Sequence, residues 1–142
     1  MLIMGKLLMA TLLSSCSAVS LDALGVTVEG KLAPCPNRPN CISSQASGEH
    51  FLKPFEFENL QETYQKLVMI VESMERAEIK KQTKDYLYFT SKSRFFGFVD
   101  DTEFYFDEVR KLLHFRSASR VGYSDMGVNR KRVQGILHKL SE

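Results

Sequence analysis

The chain has 142 residues, a formal net charge of +2, 25% charged residues and 44% hydrophobic ones. That length supports one domain with one modest core and not two. The charge surplus is too small to argue for a nucleic-acid partner, and the ordinary composition, without repeats or low-complexity tracts, reads as globular.

The chain opens MLIMGKLLMATLLSSCSAVS, in which Lys6 precedes an apolar run from Leu7 to Leu13 and then small residues. This is the layout of an export signal. The run is much shorter than the roughly 20 apolar residues a membrane-spanning helix needs. Leu13-Ser14-Ser15-Cys16 resembles the lipobox of bacterial lipoproteins, a branched apolar residue and two small ones before the cysteine that receives diacylglycerol. The resemblance implies cleavage after residue 15 and lipidation of Cys16, with palmitate-type chains anchoring the protein at about 0.8 kcal/mol per buried CH₂. Ser17 stands where an Asp would retain a Gram-negative lipoprotein in the inner membrane. Its presence implies an outer-membrane anchor with the domain facing the periplasm. Residues 1–15 are thus expected as the signal peptide, 16–32 as a lipidated tether of small, weakly patterned residues, and 33–142 as a single domain.

Three cysteines are an odd number, and assigning Cys16 to lipid leaves Cys35 and Cys41 as a pair. Three prolines and two asparagines in Pro34-Cys35-Pro36-Asn37-Arg38-Pro39-Asn40-Cys41 force a turn that can bring the two sulfurs together. An exported location would preserve the bridge. The spacing does not suit zinc, and the three histidines, His50, His114 and His138, are scattered. No metal and no cofactor are expected.

Leu60, Tyr64, Leu67, Val68, Val71 and Met74 recur at helical spacing, which predicts an amphipathic helix over Asn59–Glu75 opened by Asn59 and Glu62 as a capping box. Four strands follow at Ile79–Gln82, Tyr86–Ser91, Phe98–Phe106 and Leu112–Ser119, rich in aromatic and branched residues and arranged as a meander. Pairing Asp107 with Leu112 sets Phe104 opposite Phe115 and Phe106 opposite Leu113 on an apolar face. The same register sets Glu103 opposite Arg116 on the other face, with Asp101 and Arg120 close by. A second helix from about Gly127 carries Val133, Ile136, Leu137 and Leu140 on one side, capped by Ser124 or Asp125. The expected fold is α+β: a four-stranded antiparallel sheet in the order α-β-β-β-β-α, both helices on one face.

The charged residues concentrate in FFGFVDDTEF, from Phe95, and RSASRVGYSDMGVNRKR, from Arg116. With the earlier Cys-Pro-x-x-Pro-Asn-Cys-x-Ser-Ser, these stretches resemble the family known as domain of unknown function 1499, over about Leu32 to Leu140. The resemblance implies no activity, because none is established for that family.

Three uses of this cluster compete. Asp100, Asp101 and Glu103 can pair with Arg116, Arg120 and Arg130 as an internal ionic network, a role that suits the planar guanidinium. Alternatively, Arg116, Arg120 and Arg130, with Ser117, Ser119, Ser124 and Asn129 around a helix start, can cradle an anion. Here Asp125 competes for the helix start. A phosphate, a carboxylate or a lipid headgroup fits that reading, as does an envelope protein. Thirdly, Asp101 and Glu103, on one side of a strand, can serve an envelope hydrolase or transferase. No histidine stands beside them, and no nucleophile elbow, P-loop or zinc-protease motif occurs. The reading that follows is a lipid-anchored binding or interaction module with an anion-recognising Arg/Ser cluster, against a hydrolase or transferase and against a purely structural lipoprotein.

Overall fold

A computed structural model describes residues 24–142, so the signal peptide and Cys16 lie outside the described residues. The elements run β1 (Cys41–Ser43), β2 (Phe55–Glu56), α1 (Leu60–Glu72), β3 (Ala77–Gln82), β4 (Tyr86–Lys92), β5 (Val99–Asp107), β6 (Leu112–Ser119) and α2 (Val128–Ser141). The fold is α+β, with both helices packed on one face of an antiparallel sheet. The sheet has six strands where four were expected, because two short strands precede the first helix. Its order is β1-β6-β5-β4-β3, and β2 pairs with β6 below β1, so these two strands share the outer edge of β6 end to end. Strands of three and two residues are too short to show a period-two pattern.

Strands β3 to β6 form the meander expected from the aromatic and branched runs. The β5–β6 register is the expected one: Phe104 lies opposite Phe115, Phe106 opposite Leu113, Glu103 opposite Arg116 and Asp107 opposite Leu112. Side chains alternate across a strand, so this register decides which face each residue serves. Leu87, Phe89, Phe104, Phe106, Leu113 and Phe115 point to the helices and meet Leu67, Ile70, Val71, Val133, Ile136 and Leu140 in one core. Fully burying each such side chain contributes about 1.5–3 kcal/mol.

Helix α1 starts where expected, with Asn59 Oδ1 accepting the Glu62 N–H at 3.1 Å. It ends at Glu72, three residues early, where the Ser73 hydroxyl donates to the Ile70 carbonyl at 2.7 Å. Helix α2 is capped from two residues upstream of Gly127. The Asp125 carboxylate accepts the N–H groups of Gly127 and Asn129 at 2.9 and 3.0 Å.

Among the described residues, no α-helix covers the sheet's other face. Residues 24–34, expected as tether in large part, lie against it. Gln45 clamps this segment, accepting the Leu32 N–H and donating to the Gly30 carbonyl, each at 2.8 Å. Gly30 takes φ +73°, a left-handed conformation that favours glycine, and passes close enough to Tyr105 that a Cβ would lie 3.3 Å from its hydroxyl oxygen. Cys35 and Cys41 are joined by a disulfide, which leads this segment into the edge strand β1. No helix among the described residues is long and apolar enough to cross a membrane.

Candidate functional site

Because Asp100 and Asp101 are neighbours on β5, they serve opposite faces, and the charged cluster divides into two networks. On the helix side, Asn129 at the start of α2 is fully buried and acts as a hub. Its Oδ1 accepts from the Ser117 hydroxyl at 2.6 Å and from Arg132 Nη1 at 2.9 Å. Its Nδ2 donates to Asp125 Oδ2 at 2.7 Å and to Ser119 Oγ at 3.0 Å. Arg132 continues to Asp100 at 2.7 Å, and Thr102 shares a 2.8 Å hydrogen bond with Ser117. The Asn40 side chain ties the loop after β6 to the same corner, donating to the Gly122 carbonyl at 2.8 Å. This network joins β5, β6, α2 and the segment before β1, and its arginine is Arg132 and not Arg130.

On the open face, Asp101 takes Arg120 through both oxygens, Nε to Oδ2 at 2.8 Å and Nη2 to Oδ1 at 2.9 Å. Tyr88 donates to the same Oδ1 at 2.7 Å. Burial, together with that hydrogen bond to a carboxylate, pushes the Tyr88 phenol up to about 12, and the Asp101 contacts raise Arg120 above its ordinary value.

Glu103 is fully buried beneath residues 24–34. Its Oε1 accepts from the Tyr86 hydroxyl and from the Gly25 N–H, both at 2.7 Å. Its Oε2 has no hydrogen-bond partner among the described residues and lies 3.9 Å from Arg116 Nη1. The buried Arg116 donates from Nη2 to the Pro34 carbonyl at 3.5 Å, and its Nε is also unpartnered. Burial raises the Glu103 carboxyl above its usual range, more than Gly25, Tyr86 and Arg116 lower it. Burial likewise lowers Arg116, against the pull of Glu103.

The candidate residues of the sequence therefore do not converge on one point. Arg116 and Arg120 lie on the open face, while Ser117, Ser119 and Asn129 lie on the helix side. Arg130 faces away from both, donating to the Glu49 and Phe51 carbonyls at 2.6 and 3.1 Å. Ser124 is engaged within its own loop, accepting the Met126 N–H at 3.2 Å. Arg130 and Arg132 are two positions apart on α2 and so cannot share a helix face, which is why only one of them reaches Asp100. Among the described residues, no group of three His, Cys, Asp or Glu side chains is placed to hold a metal ion.

One surface concavity gathers cations on the open face, with a volume of about 420 Å³, lined by Leu24, Lys80, Lys81, Tyr86, Tyr88 and Arg120. Of these residues only Arg120 was singled out by the sequence. The register of β3 on β4 shifts between Ile79 and Lys81. A bulge of this kind inserts an unpaired residue and re-aims side chains, and here both lysines line the concavity. Lys81 stands over the Tyr86 ring at 5.8 Å, while Lys80 contacts Glu78 at 2.6 Å. The adjacent lysines were the only signal in the sequence, since a bulge cannot be read from strand periodicity.

The fold, the bridged cysteines and both charged stretches fall inside the segment matched by one family model, described as Protein of unknown function (DUF1499), over residues 31–140. The chain belongs to the DUF1499 family. The match covers the DUF1499 domain from the segment under the open face to the last turn of α2, so both networks and the concavity lie within it, apart from Leu24 and Gly25. Comparisons with the curated proteins and with the solved structures found no match.

Proposed function

We propose that this DUF1499 protein is an exported, lipid-anchored envelope domain that works by binding, and that it takes an anionic group in the concavity at Lys80, Lys81, Tyr86, Tyr88 and Arg120. The observation that carries the binding reading is that concavity. It gathers three cationic side chains against the Tyr86 and Tyr88 rings, on the sheet face that no α-helix of the described residues covers. Arg120 is fixed by Asp101 and still 39% exposed along its side chain, so its guanidinium is oriented and open to a ligand. Lysine ammonium groups are suitable donors to a phosphate or carboxylate, while the Tyr86 and Tyr88 hydroxyls, already donating to Glu103 and Asp101, form the wall of the concavity.

The envelope location rests on the Leu13-Ser14-Ser15-Cys16 sequence, with Ser17 favouring the outer membrane and a periplasm-facing domain. The Cys35–Cys41 bridge supports an oxidising compartment. Against a hydrolase or transferase, Glu103 is sealed from solvent and Asp101 is held by Arg120 and Tyr88, so the two carboxylates share no open cleft. General acid–base chemistry needs a carboxyl within reach of the substrate proton.

Two measurements test this reading. Mass spectrometry of the protein from its host should find acyl chains on Cys16, lost in Cys16→Ser along with membrane retention. Titration of the domain with inorganic phosphate and with acetate, followed by amide NMR, should move signals at Lys81, Tyr88 and Arg120 and leave those at Val109 in place. Saturable shifts absent from Lys81→Glu support the site; a surface silent to both anions returns the protein to a structural role.

A further inference from the structure

The β4–β5 hairpin ends in an exposed aromatic tip. Its loop is closed by the Ser93 N–H on the Phe98 carbonyl at 2.8 Å and by the Ser93 hydroxyl accepting the Phe98 N–H at 2.9 Å. Gly97 makes the turn at φ +65°. Phe95 and Phe96 are 85% and 78% exposed, Phe98 is 52% exposed, and the Phe96 and Phe98 rings stack at 5.5 Å. Next to this loop, the Arg120 N–H donates to the Val99 carbonyl at 3.0 Å. The exposed Val121 therefore emerges beside Phe98, and exposed Tyr123 and Met126 follow in the same loop. Nothing in the hairpin's hydrogen bonding requires three phenylalanines. Contiguous exposed apolar side chains mark a contact surface.

Two observations indicate what covers it. The first is the path of the chain. Leu24 lines the concavity together with Arg120, whose N–H donates to the Val99 carbonyl at the base of the tip, so the chain enters the described domain over the open face, which the tip adjoins. Cys16 is eight positions earlier, a reach of at most about 28 Å for an extended chain. The second is charge. Lys92 and Arg94 flank the phenylalanines, and the Arg94 guanidinium lies 5.7 Å from the Phe95 ring centre. Neither cation has a carboxylate partner among the described residues. At the sheet's opposite end, Glu58, Asp85, Asp107 and Glu108 stand among Lys84 and Lys111. Aromatic and apolar side chains mixed with Lys and Arg suit the interfacial zone of an anionic bilayer.

We infer that this tip is a bilayer-docking surface: Phe95, Phe96 and Phe98, with Val121, enter the interfacial zone of the membrane that holds the anchor, and Lys92 and Arg94 meet its anionic headgroups. The inference rests on the lipid-anchored reading. A short tether limits how far the domain can stray, and the tip fixes which end it turns to the membrane.

The chain contains no tryptophan, so a single introduced indole is an unambiguous reporter. Full-chain Phe96→Trp, at an exposed position that does not support the core, is reconstituted into vesicles of phosphatidylethanolamine and phosphatidylglycerol with brominated acyl chains. Val109→Trp, at the opposite end and also exposed, is the control. The expected result is that the indole of Phe96→Trp emits at shorter wavelength and loses intensity to bromine, while the indole of Val109→Trp is unaffected. The quenching should weaken in vesicles of phosphatidylcholine alone. Emission from Phe96→Trp that stays water-like, or equal quenching in both variants, overturns the docking. A blue shift without bromine quenching assigns the tip to a second copy of the chain and overturns it as well. The mass of Cys16 is read in the same preparation. Acylated Cys16 with an unquenched indole in Phe96→Trp defeats the docking alone, whereas unmodified Cys16 with a quenched one defeats the anchor and supports the docking.

Discussion

Arg120 holds Asp101 through both carboxylate oxygens, at 2.8 and 2.9 Å, from the end of β6 to β5. The same guanidinium stands at the rim of the cationic concavity, so one residue contributes to both the fold and the candidate site. Arg120→Lys keeps the charge and loses the two-pronged geometry. Because Arg120 is partly exposed, its loss lies between the figures for surface and buried pairs, about 1–2 kcal/mol for Arg120→Ala and less for Arg120→Lys. Urea unfolding midpoints check this. Anion-induced NMR shifts should weaken in both variants.

Asn129→Ala should be more damaging than any substitution on the open face outside Glu103 and Arg116. It takes a hydrogen bond from each of Ser117, Ser119, Arg132 and Asp125 and leaves the Ser119 hydroxyl without its amide partner. Unpaired buried polar groups cost about 1–3 kcal/mol each, more for charged ones. A loss of about 3 kcal/mol or more in chemical denaturation is expected. A loss below about 1 kcal/mol would show that the network does not act as a unit.

Glu103 gives the protein a pH dependence of definite sign. Its folded-state carboxyl titrates above the unfolded value, because burial outweighs its donors. The native state therefore holds this proton longer than the unfolded chain does. Its contribution is fully present below the unfolded pKa and is lost as pH rises through the folded one. Glu103→Gln mimics the protonated form. Its thermal midpoint relative to wild type should improve as pH rises out of the ordinary carboxylate range toward neutrality. A difference that does not change with pH would show that burial does not raise the Glu103 carboxyl in the folded state.

Reduction of the Cys35–Cys41 bridge, or its replacement by a pair of alanines, should lower stability by about 2 kcal/mol, the chain-entropy figure for a short loop. The effect should extend to β1, because Cys41 opens that strand and the neighbouring Asn40 carbonyl accepts the Ser119 N–H at 3.0 Å. Hydrogen exchange of Ser119 with and without reductant reads this directly.

The sequence revealed the parts of the molecule that depend on periodicity. Alternation in two aromatic strands specified the β5–β6 register to the residue, and the Glu103–Arg116 and Asp101–Arg120 neighbours followed from it. The helical stripes likewise identified Leu67, Val71, Val133, Ile136 and Leu140 as core. What depends on tertiary placement was not legible. Strands β1 and β2 exist because β6 offers them an edge. Arg132 replaces Arg130 at Asp100 because of the rotation of α2. Lys80 and Lys81 reach the concavity through a bulge that leaves no compositional trace. The segment from Leu24 to Leu32 has no pattern of its own and is ordered by Gln45, Glu103 and the approach of Gly30 to Tyr105.

That approach also has a mechanical consequence. The first long-range hydrogen bond of the described chain runs from Gly25 to Glu103, on β5, which has a partner strand on each side. A pull on the chain ahead of Leu24 is delivered there, to the middle of the sheet and not to an outer strand. Once that contact gives way, the force passes along residues 24–34 to the Cys35–Cys41 bridge and the short edge strand β1. A domain loaded in this way gives up the segment over its open face before its central strands are strained, and the disulfide sets where that loss stops.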